Sequence, residues 1–125
     1  MNKICILIID SGVDPLSIKT REELKGFSYC HGSIREDFKD EIGHGTSIYN
    51  IISGEIKEAQ IINIKFVSGE IDMSEDELIG VLNYVYENIE CNIINISMGL
   101  NIVSRNRDLH SICDKLSSLQ IKSQG

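Results

Sequence analysis

Ile4-Cys5-Ile6-Leu7-Ile8-Ile9, followed by Asp10-Ser11-Gly12, is the stretch of this chain that decides its fold. An unbroken apolar run of strand length, with no polar residue alternating into it, is what a strand covered by helices on both faces shows. Asp10 ends the run, and Ser11, Gly12, Asp14 and Pro15 are residues that favour turns. The pattern predicts a buried strand whose carboxyl end opens into a loop able to carry a site.

Working outward, residues 59–67 and 92–98 form two more apolar runs of strand length, the second ended by Gly99. Ile48, Ile51 and Ile52 fall at helical spacing and predict a helix over residues 44–54, with His44 in its first turn. Ser74 and Glu77 make a capping-box signature, and Leu78, Val81, Leu82, Val85 and Ile89 mark the buried face of the helix that follows. Leu109, Ile112, Cys113, Leu116 and Leu119 predict a last amphipathic helix starting near Ser104. Between the first strand and the first helix the signal is mixed, with a short helix predicted over residues 20–25 and an extended stretch over 26–30.

Strand, helix, strand, helix, strand, helix is the order of an α/β fold, a parallel sheet joined by crossover helices. A chain of 125 residues, 42% hydrophobic and 25% charged, suits one soluble domain or a large part of one. Three apolar strand runs are fewer than a complete doubly wound sheet needs, and the last helix should lead to a further strand. The whole of residues 1–125 is therefore read as the N-terminal portion of one domain, truncated after the third core strand and its helix. A sheet ending there would leave an edge strand and an apolar helix face uncovered, an aggregation hazard.

Charge and cysteine usage narrow the partners. The net charge is −7, from 19 acidic against 12 basic residues, and no basic stripe could follow a phosphate backbone, which argues against nucleic acid. The apolar run after Lys3 is too short for a signal peptide or a membrane span. Cys5, Cys30, Cys91 and Cys113 form no C-x-x-C pair and no zinc-ligand spacing with a histidine, so they read as reduced thiols in a cytoplasmic protein. His31 and His110 read as surface or packing residues, and Glu36, Asp37, Asp40 and Glu41 as a solvated acidic loop face. That acidic group lacks the oxygen-ligand spacing of a calcium loop, so neither a metal nor a cofactor is expected.

In open parallel sheets the binding crevice lies at the carboxyl ends of the strands, where Asp10 and the Ser97-Met98-Gly99 segment both fall. His44, flanked by Gly43 and Gly45, sits at a helix N-terminus, where the helix dipole favours the neutral imidazole that a general base requires. Asp10 could orient the other ring nitrogen. A nucleotide or phosphoacceptor module is the competing reading for an acid at the end of the first strand, but the turn has neither a G-x-G-x-x-G nor a P-loop pattern.

Ile9-Asp10-Ser11-Gly12-Val13-Asp14 resembles the aspartate motif of the subtilisin-like serine peptidases, and Gly43-His44-Gly45-Thr46 resembles their histidine motif. Asn95-Ile96-Ser97-Met98-Gly99 is similar to their substrate-binding strand. The three motifs stand in the family's order and span nearly the whole chain. The resemblance implies a three-layer α/β/α peptidase domain in which Asp10 orients the imidazole and His44 acts as general base and then general acid. Ser97, Met98 and Gly99 would pair with the backbone of a peptide or protein substrate. Where many relatives follow the histidine motif with a second histidine and an Ala-Gly pair, this chain has Ser47, Tyr49 and Asn50.

The family's oxyanion asparagine strand and its Gly-Thr-Ser nucleophile segment have no counterpart here, and Gly45-Thr46-Ser47 is not that segment. Ser47 lies one helical turn from His44, which is not an attack geometry. The resemblance thus implies a peptidase fragment needing a C-terminal half or a complementing chain; alternatively, an inactive remnant that still binds extended peptides.

Overall fold

The computed structural model describes residues 3–19, 23–66 and 75–96. β1 (Ile4–Asp10), β2 (Lys25–Cys30), β3 (Ser33–Arg35), β4 (Ala59–Lys65) and β5 (Ile93–Ile96) form one sheet in the order β3-β2-β4-β1-β5. β1 pairs in parallel with β4 along its whole length and with β5 over Ile6–Ile9, and β2 pairs in parallel with β4. Only β3 runs antiparallel, against β2. The sheet is therefore mixed rather than wholly parallel.

The hairpin that adds β3 was not foreseen. His31 and Gly32 form its two-residue turn with φ of 49° and 82°, the left-handed pair that matches the twist of a tight hairpin. Histidine in place of the usual Asn or Asp hides that signal. The short helix expected over residues 20–25 is corrected in part: Glu23 and Leu24 are irregular and Lys25 already begins β2, while residues 20–22 lie outside the described residues.

α1 (His44–Glu55) and α2 (Glu75–Asn88) cover opposite faces. Alternate residues of β1 divide the core. Leu7 and Ile9 pack with Leu78, Val81, Leu82 and Val85 of α2, together with Ile64, Phe66 and Tyr29. Ile6 and Ile8 pack with Tyr49 of α1, Val13 and Ala59, flanked by Ile48 and Ile52. Burial of β1 on both sides is the physical reason for its unbroken apolar run.

The connection from β2 through β3 and α1 to β4, and that from β4 through α2 to β5, step in the same direction across the sheet. Their helices lie on opposite faces, so the two crossovers have opposite hands. One of them is left-handed, a form taken by only about 2% of such connections.

The expected faces of the helices hold unequally. Leu78, Val81, Leu82 and Val85 are each at most 1% exposed, whereas Ile51 of α1 is 61% exposed and Tyr49 takes the buried place expected of it. The face that meets β1 runs through Gly45, Ile48, Tyr49 and Ile52, at spacings of three and four, and leaves Ile51 on the flank. The last expected helix, His110, Cys113 and the capping serine Ser74 lie outside the described residues.

Candidate functional site

β1 delivers Asp10 to the carboxyl end of the sheet, where its carbonyl accepts the amide of Phe66 at 2.8 Å. The chain then turns through Gly12, whose φ of 102° places it in the left-handed region. A side chain there would also overlap the carbonyl of Phe38, because the segment before α1 runs alongside: Val13 donates to Phe38 and accepts from Asp40, at 3.0 and 3.2 Å. α1 begins at this point, after Gly43, and its Gly45 touches the backbone of Gly12 so closely that a Cβ at Gly45 would overlap the Gly12 carbonyl. Two glycines therefore let the helix start press against the strand end.

That approach brings His44 to Asp10. Nδ1 of His44 stands 3.0 Å from Oδ1 and 2.9 Å from Oδ2 of Asp10. The aspartate side chain is 4% exposed and the imidazole 52% exposed, so the acid is enclosed while the ring opens to the surface. A second donor, the Ser11 amide, reaches Asp10 Oδ1 at 2.7 Å. Against this carboxylate, its partner among the described residues, Nδ1 carries the proton and donates, which leaves Nε2 of a neutral ring as the acceptor. Such a ring can take a proton from a nucleophile and return it to a leaving group. Ser47 is no such nucleophile, since its hydroxyl donates to the Gly43 carbonyl at 3.1 Å.

The acidic loop is corrected at one residue. Asp40 is only 6% exposed and is bonded throughout, not part of a solvated face. Its Oδ1 accepts the Ser11 hydroxyl at 2.8 Å and the amides of Ile42 and Gly43 at 2.9 and 2.8 Å. Its Oδ2 accepts the Thr46 amide at 3.0 Å and the Thr46 hydroxyl at 2.5 Å. Burial works to raise this carboxyl, but the hydrogen bonds from the Thr46 side chain and the Gly43, Ile42 and Thr46 amides outweigh it and hold the group at about 2, below the ordinary 3.8.

Ser11 completes the frame by accepting the Gly45 amide at 2.9 Å, and Thr46 Oγ1 accepts the Asp14 amide at 3.0 Å. The first amides of α1 are thus satisfied from outside the helix, whose own first turn carries no acid. Lys65 fastens the same loop to β4, donating to the Lys39 carbonyl at 2.7 Å. Sequence reasoning passed over Asp40 because acids before a helix are usually solvated. The available signal was its place within one turn of the helix start, with a threonine at the third helical position.

Of the residues singled out in sequence, Asp10 and His44 come together, and Ser97, Met98 and Gly99 lie outside the described residues. His31 is an exposed turn residue whose Nδ1 meets Glu77 of α2, away from Asp10 and His44. Cys5 is buried and Cys30 half-buried, and neither is in a disulfide. Among the described residues no group of three or more His, Cys, Asp and Glu side chains is placed to hold a metal ion, and no helix is long and apolar enough to cross a membrane. An open hollow of about 980 Å³ runs along the flank of α1, sharing Asp40, Gly43 and Thr46 with the frame but lined by neither Asp10 nor His44. No protein-family model matches this chain, and no curated protein matches it in sequence.

Proposed function

We propose that this chain supplies the acid and base of a serine endopeptidase of the subtilisin type, hydrolysing peptide bonds in protein substrates. The observation that carries the proposal is the enclosed Asp10 carboxylate gripping Nδ1 of a half-open His44 at the carboxyl end of a parallel sheet. The likeness of the Asp10, His44 and Ser97 segments to that family's three early motifs supports it, as does a helix pressed onto the strand end through Gly12 and Gly45.

In this mechanism His44 Nε2 accepts the proton of a serine hydroxyl as that oxygen attacks the scissile carbonyl, and Asp10 stabilises the imidazolium. The proton then passes from Nε2 to the leaving amine. The serine and the oxyanion donor come from segments other than α1, and Ser97, Met98 and Gly99 take the substrate backbone by strand pairing.

The test uses the product of the complete reading frame that encodes this sequence, assayed for hydrolysis of an unfolded protein and for labelling by a fluorophosphonate. Labelled, active wild type is expected, with turnover falling on the order of 10⁶-fold in His44→Ala and about 10⁴-fold in Asp10→Asn. Turnover that survives both substitutions contradicts the proposal. Tight binding of extended peptides without turnover points instead to a peptide-binding remnant.

A further inference from the structure

We propose that Asp40 is a positioning residue for His44, acting through the first turn of α1 and not on any reacting atom; this rests on the assignment of Asp10 and His44 as acid and base. The Asp10–His44 contact joins a strand end to a helix start, two elements that can slide past each other unless something fixes them. α1 has a weaker apolar grip than α2, since the residues it buries fully are Gly45, Thr46 and Tyr49, while Ile48 and Ile52 are only partly buried.

Asp40 provides the fixing. One carboxylate accepts Ser11, the residue next to the acid, and Gly43 and Thr46, which bracket the base. Ser11 passes the link on by accepting the amide of Gly45, the residue directly after His44. Ser11, Gly43 and Gly45, three of the four chain neighbours of the two functional side chains, are therefore tied to one buried anion, Gly45 through Ser11. An ordinary helix cap would satisfy the same amides without reaching Ser11. Its negative charge also faces the positive end of the helix dipole, the arrangement in which such a charge is stabilising.

The conservative change is informative. In Asp40→Asn the oxygen can still accept from Ser11, Ile42 and Gly43, but an amide group replaces Oδ2 and turns a donor towards the Thr46 amide. Two donors then face each other in a buried place, which displaces the first turn from β1.

The experiment is proton NMR of the folded 125-residue chain, reading the far-downfield proton on His44 Nδ1. Wild type should show it, and so should Val85→Ala, a core truncation on the buried face of α2 that lowers stability without touching the frame. Asp40→Asn and Thr46→Val should lose it, and Thr46→Ser, which restores the hydroxyl, should recover it. The Thr46 pair reads the same frame if Asp40→Asn does not fold. A signal unchanged in Asp40→Asn or in Thr46→Val, or lost equally in Val85→Ala, overturns the role of Asp40 and leaves the acid–base pair standing. A folded wild type without the signal overturns the pair itself.

Discussion

The two helices of this fold are held on the sheet by different physics. α2 buries Leu78, Val81, Leu82 and Val85 against Leu7, Ile9, Ile64 and Phe66, and each such side chain contributes about 1.5–3 kcal/mol by leaving water. α1 buries far less apolar surface and is held at its first turn by hydrogen bonds to Asp40 and Ser11. Apolar burial is non-directional and tolerates small shifts. A charged, multiply bonded frame fixes a helix end within the reach of a hydrogen bond. The candidate site sits on the helix that is held the second way.

The contrast can be broken from either side. Leu82→Ala should have the largest effect, about 2–5 kcal/mol of lost stability in denaturant unfolding, while the His44–Asp10 contact survives in the folded fraction. Gly45→Ala should cost less, about 1–3 kcal/mol, yet disrupt that contact, because its methyl would push α1 away from the Gly12 carbonyl. A crystal structure of this variant with Asp10 and His44 still within 3.0 Å would show that the close approach is not what makes the pair.

Acid sharpens the same comparison. The Asp40 carboxyl is lower in the folded chain, at about 2, than the ordinary 3.8, so its contribution is fully present above about pH 4 and is lost as pH falls through 3.8 towards 2. Unfolding free energies measured from pH 5 to pH 2 should fall along that limb, and Asp40→Asn should flatten it. Ile51→Ala should have the smallest effect, within about 0.5 kcal/mol by thermal unfolding, because Ile51 stands 61% exposed on the flank of α1.

The α/β class was legible because β1 carries an unbroken apolar run and α2 a regular apolar stripe, both dictated by burial. Asp10 and His44 were legible because strand end and helix start announce themselves through turn residues and glycines. β3 was not, since a three-residue edge strand with every residue exposed has no hydrophobic pattern to read. Ile51 was misplaced because isoleucines fill three neighbouring positions of α1 at helical spacing, and only the sheet decides which of them faces it. Asp40 was missed for a deeper reason: its five donors come from Ser11 and from residues 42–46, and their convergence on one carboxylate exists only once the chain is folded.

The most direct measurement of the Asp10–His44 couple is the nitrogen NMR of His44 in the folded chain near pH 8, with the two ring nitrogens assigned by their couplings. A proton on Nδ1 and a bare Nε2, exchanged for the opposite tautomer or a mixture in Asp10→Asn, is the result that a general base held by its aspartate requires. A proton on Nε2 in wild type would mean that Asp10 does not orient the ring and that His44 is not poised to accept a proton from a nucleophile.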